Sequence, residues 1–360
     1  MSQDMVVPAE HSAGTTGAAT ANLPGGPEVD PRHGLAKDRT VGLTPLQLAL
    51  RRLRRNYFAL FFGGVFVVIV LMCLLAPVYA SHVAHTGPNA TNVSEVIKVG
   101  GKTKNVVSLQ GLPIGPTWHS KFLLGADPLG RDIAVRVLYG GRNSLEIGLL
   151  ATLITMVGAI VLGVAGGFFR GWTDTIISRL LDLIWAYPAL LLGVALGVSL
   201  AVGGLSIGPI HIQGGSNLIP SFVIGVVYIP YVARPIRGEV LSLREREFID
   251  AARTLGYGRL RIIVSEVLPN LSSTLIVFFA LQLAQSIILE ASLSFLGAGV
   301  QAPNASWGTM LSDGVNLIIG APHLTLVPGI MLVVAVLSVN VFGDGLRQAF
   351  DPRARFRAER

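Results

Sequence analysis

Few residues in this chain have the types and spacing that catalysis or metal binding would require. The stretch "GGKT" at residues 100–103 resembles the end of a phosphate-binding loop, but Val96 stands where such a loop needs its first glycine. His82 and His85 have a spacing that can ligate a metal, yet no Glu, Asp or Cys pattern joins them. We find no Ser-His-Asp order and no paired catalytic carboxylates. We therefore expect a chain that is not an enzyme and holds neither a metal nor a cofactor of its own.

The most distinctive segment is "EFIDAARTLGYGRLRIIVSEVLP" at residues 247–269. As a helix, its first part has one apolar side, formed at positions i, i+3, i+4 and i+7 by Phe248, Ala251, Ala252 and Leu255. Gly256 stands where a helix end favours a residue that tolerates positive φ, and Gly258 adds a second flexible point.

A second short helix is predicted after these glycines. Its apolar side comprises Leu260, Ile263, Val264, Val267 and Leu268, and Pro269 is expected to end it. The pattern predicts a hairpin of two amphipathic helices, residues 239–270 with its flanks, whose small Ala251–Ala252 pair allows another protein to approach closely. A helix pair lying on lipid is the alternative. A DNA-reading helix-turn-helix is excluded, because membrane spans hold both ends.

Polar residues within an apolar run are the other candidates for function. Gln282, Ser286 and Glu290 share one helical face at i, i+4 and i+8. A charge at the centre of a membrane helix costs about 2.5–3.5 kcal/mol, so Glu290 should face protein or water. These side chains either line a transport pathway, or Glu290 braces the turn that follows. Asp182 is expected to pair with Arg179, three residues away. A kink is expected at Tyr187-Pro188.

The elements that hold these residues follow from composition. Of 360 residues, 51% are hydrophobic and 14% are charged, well below the charged share of about 25% in soluble domains. Runs of about 20 apolar residues are long enough to cross a bilayer as helices. We predict an all-α polytopic membrane protein with six transmembrane helices, at residues 58–80, 144–169, 176–202, 217–232, 271–296 and 324–342.

Basic residues predict the orientation of the chain. With the N-terminus in the cytoplasm, 21 of the 28 Lys and Arg residues lie on that side, and the other seven lie in residues 81–143. Basic residues hold loops on the cytoplasmic side, beside the anionic inner leaflet of the membrane. This explains the net charge of +7 without a nucleic-acid partner. The predicted segments are a disordered cytoplasmic tail (1–42), an amphipathic helix (43–57), an external loop (81–143), a core of five spans with the hairpin (144–346), and a cytoplasmic tail (347–360).

The hairpin resembles the EAA loop of ABC-importer inner-membrane permeases. The residues in register with that motif are Asp250, Ala251, Ala252, Gly256, Leu268 and Pro269, with Asp250 replacing the motif's glutamate. Three further stretches resemble the C-type subunit of dipeptide and oligopeptide permeases. They are "LLGADPLGRDIAVRVLYGGRNSL" (123–145), "EASLSFLGAGVQAPNASWGTML" (290–311) and "NVFGDGLRQAFDPR" (340–353). The resemblance covers residues 45–355, although the loop before residue 123 is longer than usual and His323 stands where we expect tryptophan.

The resemblance implies a type I ABC importer permease fold in a bacterial inner membrane. It further implies a B-type permease subunit as partner, two cytoplasmic ATPase subunits that bind ATP and magnesium, and an external solute-binding protein that delivers a peptide. The hairpin would couple one ATPase to the spans. Related systems of the same architecture carry nickel or oligosaccharides. A secondary transporter and a membrane scaffold are the alternatives from other classes.

Overall fold

The computed structural model describes residues 45–350. The predicted N-terminal tail lies outside the described residues, as does the C-terminal tail beyond residue 350. Two π-helical turns, Ala80–Ala84 and Ile263–Val267, interrupt otherwise regular helices. The α-helices are α1 (Pro45–Leu53), α2 (Tyr57–Leu74), α3 (Ala76–Tyr79), α4 (Ile133–Phe169), α5 (Trp172–Trp185), α6 (Ala189–Gly203), α7 (Leu218–Arg244), α8 (Glu247–Thr254), α9 (Arg259–Ile262), α10 (Leu268–Phe295), α11 (Trp307–Val315) and α12 (His323–Phe350).

Two short β-hairpins lie in the loops between helices. Strands β1 (Val96–Val99) and β2 (Lys102–Asn105) pair in antiparallel register, and so do β3 (Leu205–Ile207) and β4 (Ile210–Ile212). In the "GGKT" stretch, Gly100 and Gly101 form the turn of the first hairpin with positive φ, and Lys102 and Thr103 begin β2. A two-residue hairpin turn of this kind favours glycine because its residues need positive φ. The two glycines are therefore explained by the turn, and no phosphate-binding role is needed to account for them.

The expectation of an all-α polytopic membrane protein is confirmed. Within residues 45–350, five continuous helices are long and apolar enough to cross a membrane, namely α2, α4, α7, the α9–α10 helix and α12. The bent pair α5 and α6 makes six if it counts as one span.

The third predicted span is broken rather than merely kinked. Helices α5 and α6 meet at 86°, and Pro188 lies at the start of the second helix. Proline has no amide proton to donate and its ring collides with the preceding turn, so a helix that reaches Tyr187-Pro188 has to end or bend there.

Two helices extend beyond the apolar runs that predict them. Helix α4 begins at Ile133 instead of residue 144, so the predicted external loop (81–143) ends at residue 132. Asp132 caps this helix by accepting from the amides of Ala134 and Val135, and Arg136 is buried beside Asp127. Helix α7 continues to Arg244, so residues 239–244 of the predicted hairpin belong to this span. An apolar run in the sequence ends at the first charged residue, so it predicts a helix that ends there too. A charged residue with a partner can continue the helix, and the helix is then longer than the apolar run.

Helices α4 and α7 pack closely along their length. Glycines on α4 face the backbone of α7: a Cβ added at Gly163 would lie 2.9 Å from the carbonyl oxygen of Ala233, and one at Gly167 would lie 2.9 Å from that of Arg237. Small residues at such contacts let two membrane helices approach more closely than larger side chains permit. The pair forms the frame from which the hairpin projects.

Candidate functional site

The hairpin turns at Gly256, as its sequence predicts. The amide of Tyr257 donates to the carbonyl of Ala252 at 3.1 Å, and the amide of Gly256 donates to that of Arg253 at 2.9 Å. This bond pair is a Schellman motif, which needs a left-handed residue at its turn. Gly256 has φ +80°, so the prediction of positive φ is confirmed. Gly258 has φ −67°, a conformation that any residue adopts, so its role as a second flexible point stays a prediction.

The inward face of α8 differs from the predicted apolar side. Ile249 and Ala252 are buried, at 0% and 5% exposed, whereas Ala251 and Leu255 lie on the exposed side. The expectation that Ala251 and Ala252 together face a partner is therefore wrong for Ala252. The reason is that Ile249, which the sequence pattern left out of the apolar side, supplies the larger buried side chain and turns that face inward.

The second arm of the hairpin joins the following span without a break. Pro269 does not end a helix, because α9, the π-helical turn Ile263–Val267 and α10 follow one another directly. The wider π-helical turn lies just before Pro269 and accommodates its missing amide proton and its ring. Ile262, Ile263 and Val267 are buried, while Leu260 and Val264 are exposed at 74% and 57%. The second arm thus also has an inward and an outward apolar face.

The inward faces of both arms belong to the same apolar cluster as the ends of α4 and α7. That cluster includes Phe168 of α4, Ile236 and Val240 of α7, and Ile249, Ala252, Ile262 and Val267 of the hairpin. A hairpin packed in this way has to move together with the spans, because close-packed side chains transmit displacement. The outward residues, which we call the outer face, are Phe248, Ala251, Leu255, Leu260 and Val264.

Asp250, the residue in place of the motif's glutamate, lies on the exposed side of α8. Its carboxylate pairs with Arg253 at 2.8 Å, and the side chains of Asp250 and Arg253 are 67% and 41% exposed. An exposed pair of this kind contributes under about 1 kcal/mol. Leu268 is half-buried, and Pro269 is exposed where α10 begins.

The three polar residues predicted for a pathway lie inside the protein. Gln282, Ser286 and Glu290 are each 0% exposed. The Gln282 amide donates to the Ser286 hydroxyl at 3.1 Å, and the Thr152 hydroxyl of α4 lies 3.3 Å from that hydroxyl. The row therefore ties α10 to α4 and, in this conformation, exposes none of its three side chains to a water-filled path.

Glu290 contacts the turn that follows its own helix. The Ser294 hydroxyl donates to the Glu290 carboxyl at 2.7 Å and accepts from the amide of Val300 at 3.0 Å. Ser144 of α4 and Ser306 lie close to this carboxyl, whose Oε2 has no hydrogen-bond partner among the described residues. Ser306 also begins α11 with a capping box. Glu290 thus lies where α4, α10 and the start of α11 meet, which favours bracing over pathway lining.

Asp182 pairs with a different arginine from the predicted one. Its carboxylate contacts Arg234 of α7 at 2.8 Å, and the Arg234 guanidinium lies 5.0 Å from the ring centre of Trp185. The prediction that Asp182 pairs with Arg179 is wrong. A neighbouring helix brings Arg234 close to the carboxylate, and spacing along one helix cannot reveal this.

Sequence reasoning missed an ion-pair network at the N-terminal end of α4, the end away from the hairpin. Asp127 contacts Arg131 at 2.5 Å and Arg136 at 3.7 Å, and Asp313 of α11 lies 3.6 Å from Arg131. Burial holds the pKa of Asp313 above its ordinary value despite both arginines. His323 binds the same loop through the Ala126 carbonyl oxygen, at 3.1 Å. The i, i+4 spacing of Asp127 and Arg131, with a further arginine in an apolar helix, is the signal that could have revealed this network.

Comparisons with known proteins agree with the geometry. Residues 159–356 match the family "Binding-protein-dependent transport system inner membrane component", and residues 44–94 match "N-terminal TM domain of oligopeptide transport permease C".

Named relatives extend over most of the chain. It is 33% identical over 327 residues to the dipeptide transport system permease protein DppC of Alkalihalophilus pseudofirmus, covering 91% of this chain and 96% of the relative. It is 36% identical over 252 residues to the glutathione transport system permease protein GsiD of Pectobacterium atrosepticum, covering 70% and 79%. It is 34% identical over 312 residues to GsiD of Salmonella typhimurium, covering 87% and 92%.

Proposed function

Because this chain belongs to the binding-protein-dependent transport system inner membrane components, in their oligopeptide permease C branch, we propose that it is one of two permease subunits of an ATP-driven importer of di- and oligopeptides. The family makes it an ABC importer permease for peptides or related substrates. The substrate proposal is supported by relatives named for dipeptide and glutathione transport.

One observation carries the proposed mechanism, namely that the hairpin has two apolar faces. Its inward face packs into the cluster shared with α4 and α7, and its outer face is exposed. Exposed apolar side chains that lie together on one surface mark an interaction site. A cytoplasmic ATPase that binds the outer face would therefore move the spans as a rigid body when it closes.

The proposed importer needs further subunits, each with its own task. A B-type permease subunit shares the translocation pathway, two ATPase subunits bind ATP and magnesium, and an external solute-binding protein delivers the peptide. Asp250, Ala251, Gly256, Leu268 and Pro269 contribute to coupling directly or shape the hairpin. Ala252 contributes by holding the hairpin against the spans.

The reconstituted complex tests this function. Vesicles that contain the chain, its partner permease and the ATPases should take up a labelled dipeptide only under two conditions. ATP has to be present on the side of the membrane that the hairpin faces, and the binding protein has to be present on the opposite side. Uptake that persists without ATP, or without the binding protein, would instead support a secondary transporter. Omitting this chain alone is the matched control.

We also propose that both termini and the hairpin are cytoplasmic and that the predicted external loop, residues 81–143 with its end moved to residue 132, lies outside. The uneven distribution of basic residues supports this orientation. Impermeant thiol reagents applied from outside should label Asn105→Cys and not Tyr257→Cys, in a Cys73→Ser background. Asn105 is exposed and Tyr257 is half-buried, so labelling after permeabilisation checks that the second position can react. Labelling of Tyr257→Cys in intact cells would reverse the proposed orientation.

A further inference from the structure

A cavity of about 320 Å³ lies where the hairpin meets the ends of α4 and α7. Its lining combines aromatic and cationic side chains, with the aromatic residues on one helix end and on the hairpin turn. The residues that form it are Phe168, Phe169, Arg244, Arg253, Tyr257, Arg259 and Ile262. Each of the three arginines comes from a different helix, α7, α8 or α9, so the cavity depends on the folded hairpin.

The cavity has an excess of positive charge. No carboxylate lines it. Arg244 donates to the carbonyl oxygen of Phe168, and its charged neighbours are the three arginines Arg170, Arg253 and Arg259 and one carboxylate, Glu245, which pairs with Arg170. Arg253 pairs with Asp250 at the surface, whereas the Arg259 guanidinium makes no hydrogen bond or ion pair with any residue in the range 45–350. Three guanidinium groups around one cavity repel one another, and a bound anion would relieve that repulsion.

The chemistry of the lining identifies the anion. A guanidinium binds phosphate through two parallel hydrogen bonds, which makes arginine the preferred residue for phosphate recognition. The apolar part of the lining is equally informative, because Phe168 and Phe169 end a helix with a mean hydropathy of 2.5 in its most apolar window. The cavity therefore lies where an apolar span gives way to a basic surface, the position of lipid headgroups.

We propose that this cavity binds the phosphate headgroup of an anionic phospholipid. The bound headgroup would contact the end of α7 and both arms of the hairpin at once, and so would fix the angle between the hairpin and the spans. The inference does not rest on the proposed transport function, since lipid binding requires only the folded chain in a membrane.

Native mass spectrometry of the purified full-length chain tests the proposal, with phosphatidylglycerol as the probe and phosphatidylcholine as the zwitterionic comparison. Arg259→Gln should weaken phosphatidylglycerol binding about fivefold, and the double variant Arg253→Gln/Arg259→Gln about 25-fold, given the usual contribution of one basic residue near anionic lipid. Arg246→Gln is the matched control, because Arg246 is exposed on the same segment and does not line the cavity. Its binding should equal that of the wild type.

Four outcomes decide the matter. Loss in the cavity variants alone, with unchanged melting temperatures and no competition by inorganic phosphate, supports the proposal. Equal retention in all variants overturns it. Displacement of the lipid by millimolar inorganic phosphate would assign the cavity to free phosphate and overturn the lipid assignment. Release of the lipid when ATPase subunits bind wild-type protein would assign the cavity to an acidic side chain of the ATPase, and would also overturn it.

Discussion

Ala251 and Ala252 are adjacent in α8, but Ala251 is exposed and Ala252 is buried, so the same substitution should have different consequences at the two positions. Ala252 is 5% exposed and packs in the cluster that joins the hairpin to the spans, whereas Ala251 is exposed on the outer face. Tryptophan at either position adds a large ring. Only at position 252 must the protein's own core make room for it.

The expected magnitudes follow from burial. Overpacking a filled core costs typically about 1–3 kcal/mol, so Ala252→Trp should destabilise the chain by about that amount. A substitution at an exposed position usually changes stability by less than about 0.5 kcal/mol, which is the expectation for Ala251→Trp. If an ATPase binds the outer face closely, the ring at position 251 should instead weaken that contact by about 1–3 kcal/mol, or about 5- to 150-fold in affinity.

Two measurements separate these effects. Thermal unfolding of the purified chain, compared at a single scan rate because membrane proteins often unfold irreversibly, reports stability. Pull-down of the ATPases with peptide uptake reports coupling. Ala252→Trp should lower the melting temperature, and Ala251→Trp should leave it unchanged while releasing the ATPases. Leu109→Trp, at a loop position that is 97% exposed, is the control for adding a surface ring.

Two results would refute the reasoning. Equal melting temperatures for Ala252→Trp and the wild type would mean that the inward face of α8 is not packed as described. Normal ATPase retention and normal uptake in Ala251→Trp would mean that the outer face is not the ATPase contact, and the proposed coupling mechanism would fail.

Three further predictions concern the turn, the braced junction and the ion-pair network. Gly256→Ala should destabilise the chain by about 1–2 kcal/mol, because the φ of Gly256 is +80° and therefore left-handed. Gly258→Ala should have little effect, since the φ of Gly258 is −67°. The melting temperatures of the two variants distinguish these outcomes. Glu290→Gln should lower stability by about 1–3 kcal/mol without changing the order of preference among peptides in uptake assays; a changed preference would favour pathway lining. Asp127→Asn should cost about 1–3 kcal/mol, because it removes the buried carboxylate that contacts both Arg131 and Arg136 and leaves Arg136 with only Asp313 as an ionic partner. Asp250→Asn, at a more exposed pair, should cost under about 1 kcal/mol, and equal losses in denaturation would contradict this.

Local patterns in the sequence determined the class of the protein and the position of its hairpin. Apolar runs predict membrane helices because the bilayer leaves the backbone no other way to satisfy its hydrogen bonds. Gly256 could be assigned positive φ because a helix end with this need is a local feature. The motif residues from Asp250 to Pro269 identified the family, since their types and spacing are read directly from the chain.

Contacts between distant segments decided the rest. Which side of α8 faces inward depends on Phe168 and Val240, which approach Ile249 only in the folded chain. Helix α4 begins at Ile133 behind the Asp132 cap and contains Arg136, which is buried against Asp127 and Asp313, and no hydropathy pattern contains those contacts. Asp182 likewise pairs with Arg234 across two helices rather than with its neighbour in sequence. Periodicity shows that a helix has an apolar side, but packing energy depends on the atoms that surround each side chain, and those are determined by the tertiary structure.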